Sequence, residues 1–272
     1  MKKGLWTLMI GLILILAACG TGDGEDSASN GDNGDSEETN LHDQIIEDGV
    51  ISVGTEGTYA PYTFHNEEDE LTGYDVEVMR EIADRMGIEV DFEETQWDSM
   101  FAGLNAERFD VIANQVGINP DRLENYDFSD PYTVSSAVVV VPEANTDVTS
   151  FADLEGKQSA QSLTSNFATI AEENGAELVQ VEGLAQSIEL IKQDRVELTV
   201  NDRLAVLDYM NQQPDSGVKI AVREGDASET AFAFNKGNAE LVEAFNEQLE
   251  AMKEDGTLAE ISEKWFGEDV SK

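Results

Sequence analysis

From residue 50 onward the chain alternates short apolar runs with longer stretches in which apolar residues recur every three or four positions. "VISVGT" (50–55) has the length and β-branched content of a buried strand. In "YDVEVMREIADRM" (74–86), Val76, Met79, Ala83 and Met86 share one helical face, and Asp75 stands where a cap is expected. "IEVDFEE" (88–94) alternates like a half-buried strand. "WDSMFAGLNAERF" (97–109) puts Trp97, Met100, Phe101 and Leu104 on one helical stripe, and "DVIAN" (110–114) is the next strand. "NPDRLENY" (119–126) then opens a helix, with Asn119 as its cap and Pro120 in its first turn.

"SSAVVVVP" (135–142) reads as a strong strand ended by proline, after which the alternation restarts. Strands are predicted near 158–161 and 177–181 and at "VELTV" (196–200) and "VKIAV" (218–222). Helices fall between them near 165–174, closed by Gly175, at 185–193 and from Arg203 to about 212. The same motif order occurring twice predicts an α/β fold of two Rossmann-like lobes, built from βαβ units with a largely parallel sheet. "AFAF" (231–234) is a strand that can return to the first lobe, ahead of helices at 238–255 and in "TLAEISEKWFG" (257–267). Two crossings, near Ala137–Val141 and Thr230–Phe234, would then form a two-strand hinge, with ligands meeting the strand C-termini in the cleft. The expected division is 43–138 plus 232–272 for lobe 1 and 139–231 for lobe 2.

The N-terminus is of another kind. Residues 1–18 carry two lysines, an apolar run from Leu5 to Leu16 and then small residues, the pattern of a secretory signal peptide. That run is shorter than the roughly 20 residues a membrane span needs. Cys19 is the only cysteine, so no intrachain disulfide can form. Residues 19–42 read as that cysteine and an acidic, Gly- and Ser-rich tether, too polar to bury surface against the entropy of ordering.

Composition sharpens the functional picture mainly by exclusion. Lys and Arg number 16 against 57 Asp and Glu, a formal charge of −41, which excludes nucleic acid as a partner because binding it needs a basic footprint. A surface adapted to salt, where screening weakens self-repulsion, would account for the acidity. Only His42 and His65 are available as histidines. No nucleophile–base pair, clustered metal ligands or phosphate loop can be assembled, so no cofactor is expected and binding is favoured over catalysis. Among so few cations, Arg122 reads either as a helix-surface charge paired with Asp121 or Glu124, or as a fork held for an external carboxylate.

"VGTEGTYAPYTF", "LTGYDVEV", "TQWDSMFAGL", "FDVIANQVGINPDR", "YDFSDPY" and "DGTLAEISEKWFG" occur in this order over residues 50–267. They resemble the amino-acid-binding proteins of ABC importers, solute-binding family 3, with the type II periplasmic-binding fold. "NQVGINPDR", "AQSLTSNFA", "VNDRLAVLDY" and "SEKWFGEDVSK" resemble the L-cystine-binding branch. The resemblance implies an extracytoplasmic, monomeric receptor that carries cystine or a similar polar amino acid to a permease and, through it, an ATPase subunit. "LAAC" resembles the bacterial lipobox, in which Cys19 would carry the lipid that anchors the chain to the outer face of the membrane.

The same resemblance assigns Arg122 to the ligand α-carboxylate and Asp202 to its ammonium group; Asp202 also reads as a helix cap. Tyr59 and Trp97 would flank the ligand, Glu56 would lie where a ligand acid can approach, and the strand end Asn114, Gln115 and Gly117 would offer its backbone. Ser165 and Asn166, at a helix start, would donate from the second lobe. Gly117 and "LTSN" depart from the family's usual hydroxyl residue and Gly-Thr-Thr-like turn, while the amides of Asn114 and Gln115 suit a polar ligand side chain. A dehydratase-like enzyme on this fold remains an alternative. So does a ligand-sensing domain, although no signalling domain follows residue 272 in this sequence.

Overall fold

The computed structural model describes residues 40–225 and 227–272. The signal segment, Cys19 and the tether up to residue 39 lie outside the described residues. Asn40 accepts from the Asp43 N–H and caps α1 (Leu41–Asp48), so residues 41 and 42, read from the sequence as tether, are already helical.

β1 (Val50–Thr55) is followed by a small antiparallel meander of β2 (Thr58–Tyr59), β3 (Thr63–His65) and β4 (Leu71–Thr72). α2 (Tyr74–Met86) buries Val76, Met79 and Ala83 of the expected stripe and adds Val78 and Ile82, while Met86 is only half-buried. Gly73 rather than Asp75 is its N-cap residue, and Asp75 turns inward and is fully buried. β5 (Glu89–Glu94) pairs in parallel with β1, and α3 (Trp97–Asn105) leads into β6 (Val111–Gly117), which ends three residues beyond "DVIAN". α4 (Pro120–Asn125) begins at the predicted cap: Asn119 Oδ1 accepts from the Arg122 N–H at 2.9 Å. β7 (Tyr126–Phe128) and β8 (Thr133–Ser135) complete this part of the first lobe.

The second lobe comprises β9 (Ala137–Pro142), β10 (Gln158–Gln161), α5 (Asn166–Glu173), β11 (Glu177–Gln180), α6 (Leu184–Lys192), β12 (Thr199–Asp202), α7 (Arg203–Gln212) and β13 (Val218–Arg223). β12 starts three residues later than "VELTV" implies, with Leu198 making only a single parallel bridge to Ser159. Val138 to Val141 of β9 are fully buried, each contributing about 1.5–3 kcal/mol of apolar burial. The chain then returns to the first lobe as β14 (Ser228–Asn235), α8 (Ala239–Asp255) and α9 (Thr257–Phe266).

The sheets are mixed rather than largely parallel. In the first lobe the order is β5-β1-β6-β14-β7, with β8 also on β14; β5, β1 and β6 are parallel and β14 runs against all its partners. The reason is topological: β14 enters from the other lobe, at the end of the sheet where β6 leaves. In the second lobe β9 is antiparallel to both β12 and β13, and only β10 and β11 pair in parallel. The crossings also lie elsewhere than expected, because β9 belongs wholly to the second sheet and β14 to the first. One crossing is at Ser136 and the other follows the end of β13 at Arg223, the two tied together by Arg223 Nε donating to Ser136 Oγ at 2.9 Å.

Candidate functional site

The C-terminal ends of β1, β6, β10 and β12 converge between the lobes, as open α/β sheets dictate. Just past β1, Glu56 is half-buried, and its carboxylate accepts from Asn114 Nδ2 at 2.6 Å while Asn114 Oδ1 accepts from the Glu56 N–H at 2.8 Å. Burial raises the Glu56 pKa to about 7, against the lowering effect of the Asn114 hydrogen bond and with Asp98 adding repulsion. The Asn114 amide is therefore spent on orienting Glu56. Gln115 is similarly engaged: its N–H and Nε2 both donate to Asp75 at 2.7 Å, and Oε1 accepts from Thr230 Oγ1. It sits at φ 49°, in the left-handed region, which costs a non-glycine residue about 1–2 kcal/mol. Asp75 holds that conformation from beneath.

Arg122 is 8% exposed. Nη1 donates to the Gly117 carbonyl at 2.9 Å and Nη2 to the Thr164 carbonyl of the second lobe at 3.2 Å. Its guanidinium lies 5.3 Å from the Trp97 ring centroid and 5.1 Å from that of Phe101. Neither Asp121 nor Glu124 pairs with it, and none of the ion pairs among the described residues includes it. Burial without a counter-charge lowers its pKa to about 10.

From the second lobe, Ser165 caps α5 by accepting from the Ala168 N–H at 3.0 Å, which leaves its hydroxyl hydrogen to be donated. Asp202 caps α7, Oδ1 accepting from the Leu204 and Ala205 N–H groups at 2.8 and 3.0 Å and from the Tyr62 hydroxyl at 2.7 Å. All three bonds end on Oδ1, and burial raises the Asp202 pKa. Tyr59 reaches across in the same way to Asn201 Oδ1, at 2.8 Å.

One cavity brings together Glu56, Tyr59, Trp97, Asn114, Gln115, Ser165 and Asn166. A smaller recess shares Tyr59, Gln115, Asn166 and Phe167 with it and reaches Asp202. Gly117 and Arg122 border instead a wide open groove that meets the cavity at Asn166. A Cβ on Gly117 would stand 3.4 Å from the Asn166 side chain, an ordinary van der Waals contact across the seam between the lobes.

Sequence reasoning missed Gln161, Phe167 and Asn201 on the cavity wall. The strand-end rule that found Gln115 would also have found Gln161, which ends β10, and Asn201, the last residue but one of β12. It also missed Asp98, whose carboxylate accepts from the Thr164 N–H at 3.1 Å, Thr164 Oγ1 at 3.0 Å and Gln180 Nε2 at 3.1 Å. These bonds, with those of Tyr59, Tyr62 and Arg122, hold the lobes closed on each other. Among the described residues no three His, Cys, Asp or Glu side chains are grouped to hold a metal ion.

A model of the bacterial extracellular solute-binding proteins, family 3, matches residues 51–268. The L-cystine-binding protein TcyA of Bacillus subtilis (strain 168) is 54% identical over 274 residues, covering 100% of both chains. A probable amino-acid ABC transporter-binding protein of Haemophilus influenzae is 53% identical over 85% of this chain and 90% of its own. The crystal structure of the L-cystine solute receptor of Neisseria gonorrhoeae, in its unliganded open conformation, is 48% identical with a TM-score of 0.57, over 84% of this chain and 98% of that one. An ancestral arginine-binding protein bound to arginine is only 34% identical, yet its TM-score is 0.76, over 80% and 99%.

Proposed function

Because the chain belongs to the extracellular solute-binding proteins of family 3, we propose that it is the amino-acid receptor of an ABC importer and that its ligand is L-cystine. The observation that carries this reading is Arg122: a buried guanidinium with no carboxylate of the protein to neutralise it, at the seam between the lobes. Two of its five N–H groups are spent on carbonyls, and the others suit a ligand carboxylate. Cystine is favoured over other amino acids by the L-cystine-binding relatives and by a cavity that sets the polar groups of Glu56, Ser165, Asn166 and Asn201 among the aromatic walls of Tyr59, Trp97 and Phe167. Calorimetric titration of the twenty standard amino acids and cystine tests the assignment. Cystine is expected to bind tightest, and a standard amino acid binding tenfold tighter would overturn it.

In the mechanism, the amino acid lands on the first lobe with its carboxylate toward Arg122. Closure brings Ser165 and Asn166 to the carboxylate and Asp202 to the ammonium group, and buries the ligand between Tyr59, Trp97 and Phe167. Only interactions made better in the closed form shift the population toward it. Ligand binding, rather than turnover, is the output that the permease would read. Lipidation at Cys19 and a tether would keep the receptor beside that permease.

Glu56 would receive the distal ammonium of cystine, which makes binding pH-dependent. Its raised pKa leaves it largely protonated below about pH 7 in the free protein. An ammonium partner favours the ionised form, so binding releases a proton. Affinity is full near pH 8 and falls as pH drops through 7, by up to about tenfold per unit. Titrations between pH 6 and 8 check this, and Glu56→Gln should lose both the slope and the higher affinity.

Asp98 touches only protein, yet it should lengthen ligand residence by fastening the second-lobe turn at Thr164. Asp98→Ala is expected to raise the dissociation rate about tenfold, as befits partly exposed charge-assisted bonds, with the association rate nearly unchanged. Stopped-flow binding and chase measurements distinguish the two rates.

A further inference from the structure

β6 does not run straight past the ligand cavity. Val116 pairs with Ala231 of β14 and Ile112 with Ala233, so Ala113, Asn114 and Gln115 stand opposite Phe232 alone. A bulge of this kind bends the strand and re-aims its side chains. Gln115 closes the bulge, borders the cavity and carries the positive φ. Its side-chain amide makes three bonds. Nε2 donates to Asp75 Oδ1 at 2.7 Å and to Thr133 Oγ1 at 3.1 Å, and Oε1 accepts from Thr230 Oγ1 at 2.9 Å. Thr133 and Thr230 are themselves paired across β8 and β14. β8 is the strand that leaves for the second lobe through Ser136, and β14 is the strand that returns from it. One amide thus joins a wall of the ligand cavity to both strands of the hinge. The recess that Gln115 also borders reaches Ser135, Ser136 and Ser228 beside those crossings.

Asp75, on α2, holds the amide in place. It is fully buried. Oδ2 accepts from the Gln115 main-chain N–H and Oδ1 from its Nε2, both at 2.7 Å. A carboxylate supplies two acceptors in one plane, whereas asparagine would set an N–H against one of the two donors. Burial pushes the Asp75 pKa up to about 7 against the pull of the Gln115 bonds, so the group is ionised at pH 8. Resting on the receptor reading above, we infer that Asp75, which borders neither the cavity nor the recess, is a positioning residue for ligand binding. It fixes Gln115 in its left-handed turn and, through the Gln115 amide, ties the ligand wall to the two hinge strands. A carboxylate that only pinned α2 to β6 would affect the melting temperature and leave the affinity alone.

A double-mutant cycle separates the two roles, with L-cystine titrated calorimetrically at pH 8 into the parent, Asp75→Asn, Gln115→Gly and the double variant. Asp75→Asn opposes a donor to a donor and should lower cystine affinity about tenfold. Glycine takes a positive φ without strain and has no amide to hold. On the Gln115→Gly background the same change should therefore cost less than about twofold, a coupling that only action through Gln115 produces. Equal losses on the two backgrounds would overturn the proposal, as would parental affinity in Asp75→Asn. Asparagine keeps the shape of the side chain and removes a buried charge, so the variant should fold. If it does not, Gln115→Met carries the test, because it leaves the main-chain N–H to Asp75 and removes only the three amide bonds. It should lose about tenfold in affinity, and parental affinity there would equally sink the proposal. If the unsubstituted protein takes another amino acid in place of cystine, the ligand assignment falls by itself. The same cycle run with that amino acid then decides the role of Asp75.

Discussion

Arg122→Ala is expected to abolish measurable binding of every α-amino acid while leaving the ligand-free fold nearly as stable as before. The loss follows from leaving a ligand carboxylate buried without its counter-ion, which costs about 3–5 kcal/mol, or more than a hundredfold in affinity. The small effect on stability follows from what Arg122 does in the absence of ligand. It gives up hydrogen bonds to Gly117 and Thr164 and stacking on Trp97 and Phe101. It also removes a buried charge that no protein carboxylate neutralises. A thermal scan should find the ligand-free melting temperature within about 5 °C of the parent and no upward shift on adding cystine. Retained affinity would sink the clamp, whatever the melting temperature.

Asp202 is the second large case, and here the choice of substitution separates two roles. Asp202→Asn keeps a side-chain oxygen for the Leu204 and Ala205 N–H groups and for the Tyr62 hydroxyl. The α7 cap, worth about 1 kcal/mol, survives. The charge that meets the ligand ammonium does not, so cystine affinity should fall by about a hundredfold, in line with a charge-assisted bond worth about 1.5–3 kcal/mol. Asp202→Ala should lose the same affinity and stability as well. Calorimetry and thermal unfolding on both variants check the split. If Asp202→Asn binds cystine as the parent does, the ammonium partner lies elsewhere.

The caps on which these arguments stand were legible in the chain, because capping is local chemistry. Asn119, Ser165 and Asp202 each precede an apolar helical pattern and each accepts from an N–H two or three residues on. Helix faces were legible for the same reason, while the return of "AFAF" to the first sheet was only one possibility in the sequence, and β14 takes it. Strand direction was not, since an apolar run of six residues looks alike in parallel and antiparallel company. The partners of Asp75 and Asp98 were out of reach too. Asp75 looks like a cap in its own helix, but its hydrogen bonds go to Gln115, 40 positions away. Asp98 finds Thr164 at a separation of 66, and only once the lobes are closed. The amides of Asn114 and Gln115 suggested ligand contacts by composition; the fold turns them to Glu56 and Asp75.

The packing of Trp97 gives the protein a built-in optical reporter. Its indole touches the ligand cavity on one side and carries the Arg122 guanidinium and the Phe101 ring on others. Trp265, on α9, donates instead to Glu77 and meets Phe64 edge-on within the first lobe. Quenching or a spectral shift on titration should therefore come from Trp97, with Trp265 emitting as a steady internal standard. The emission of the unlabelled protein can then follow lobe closure in real time.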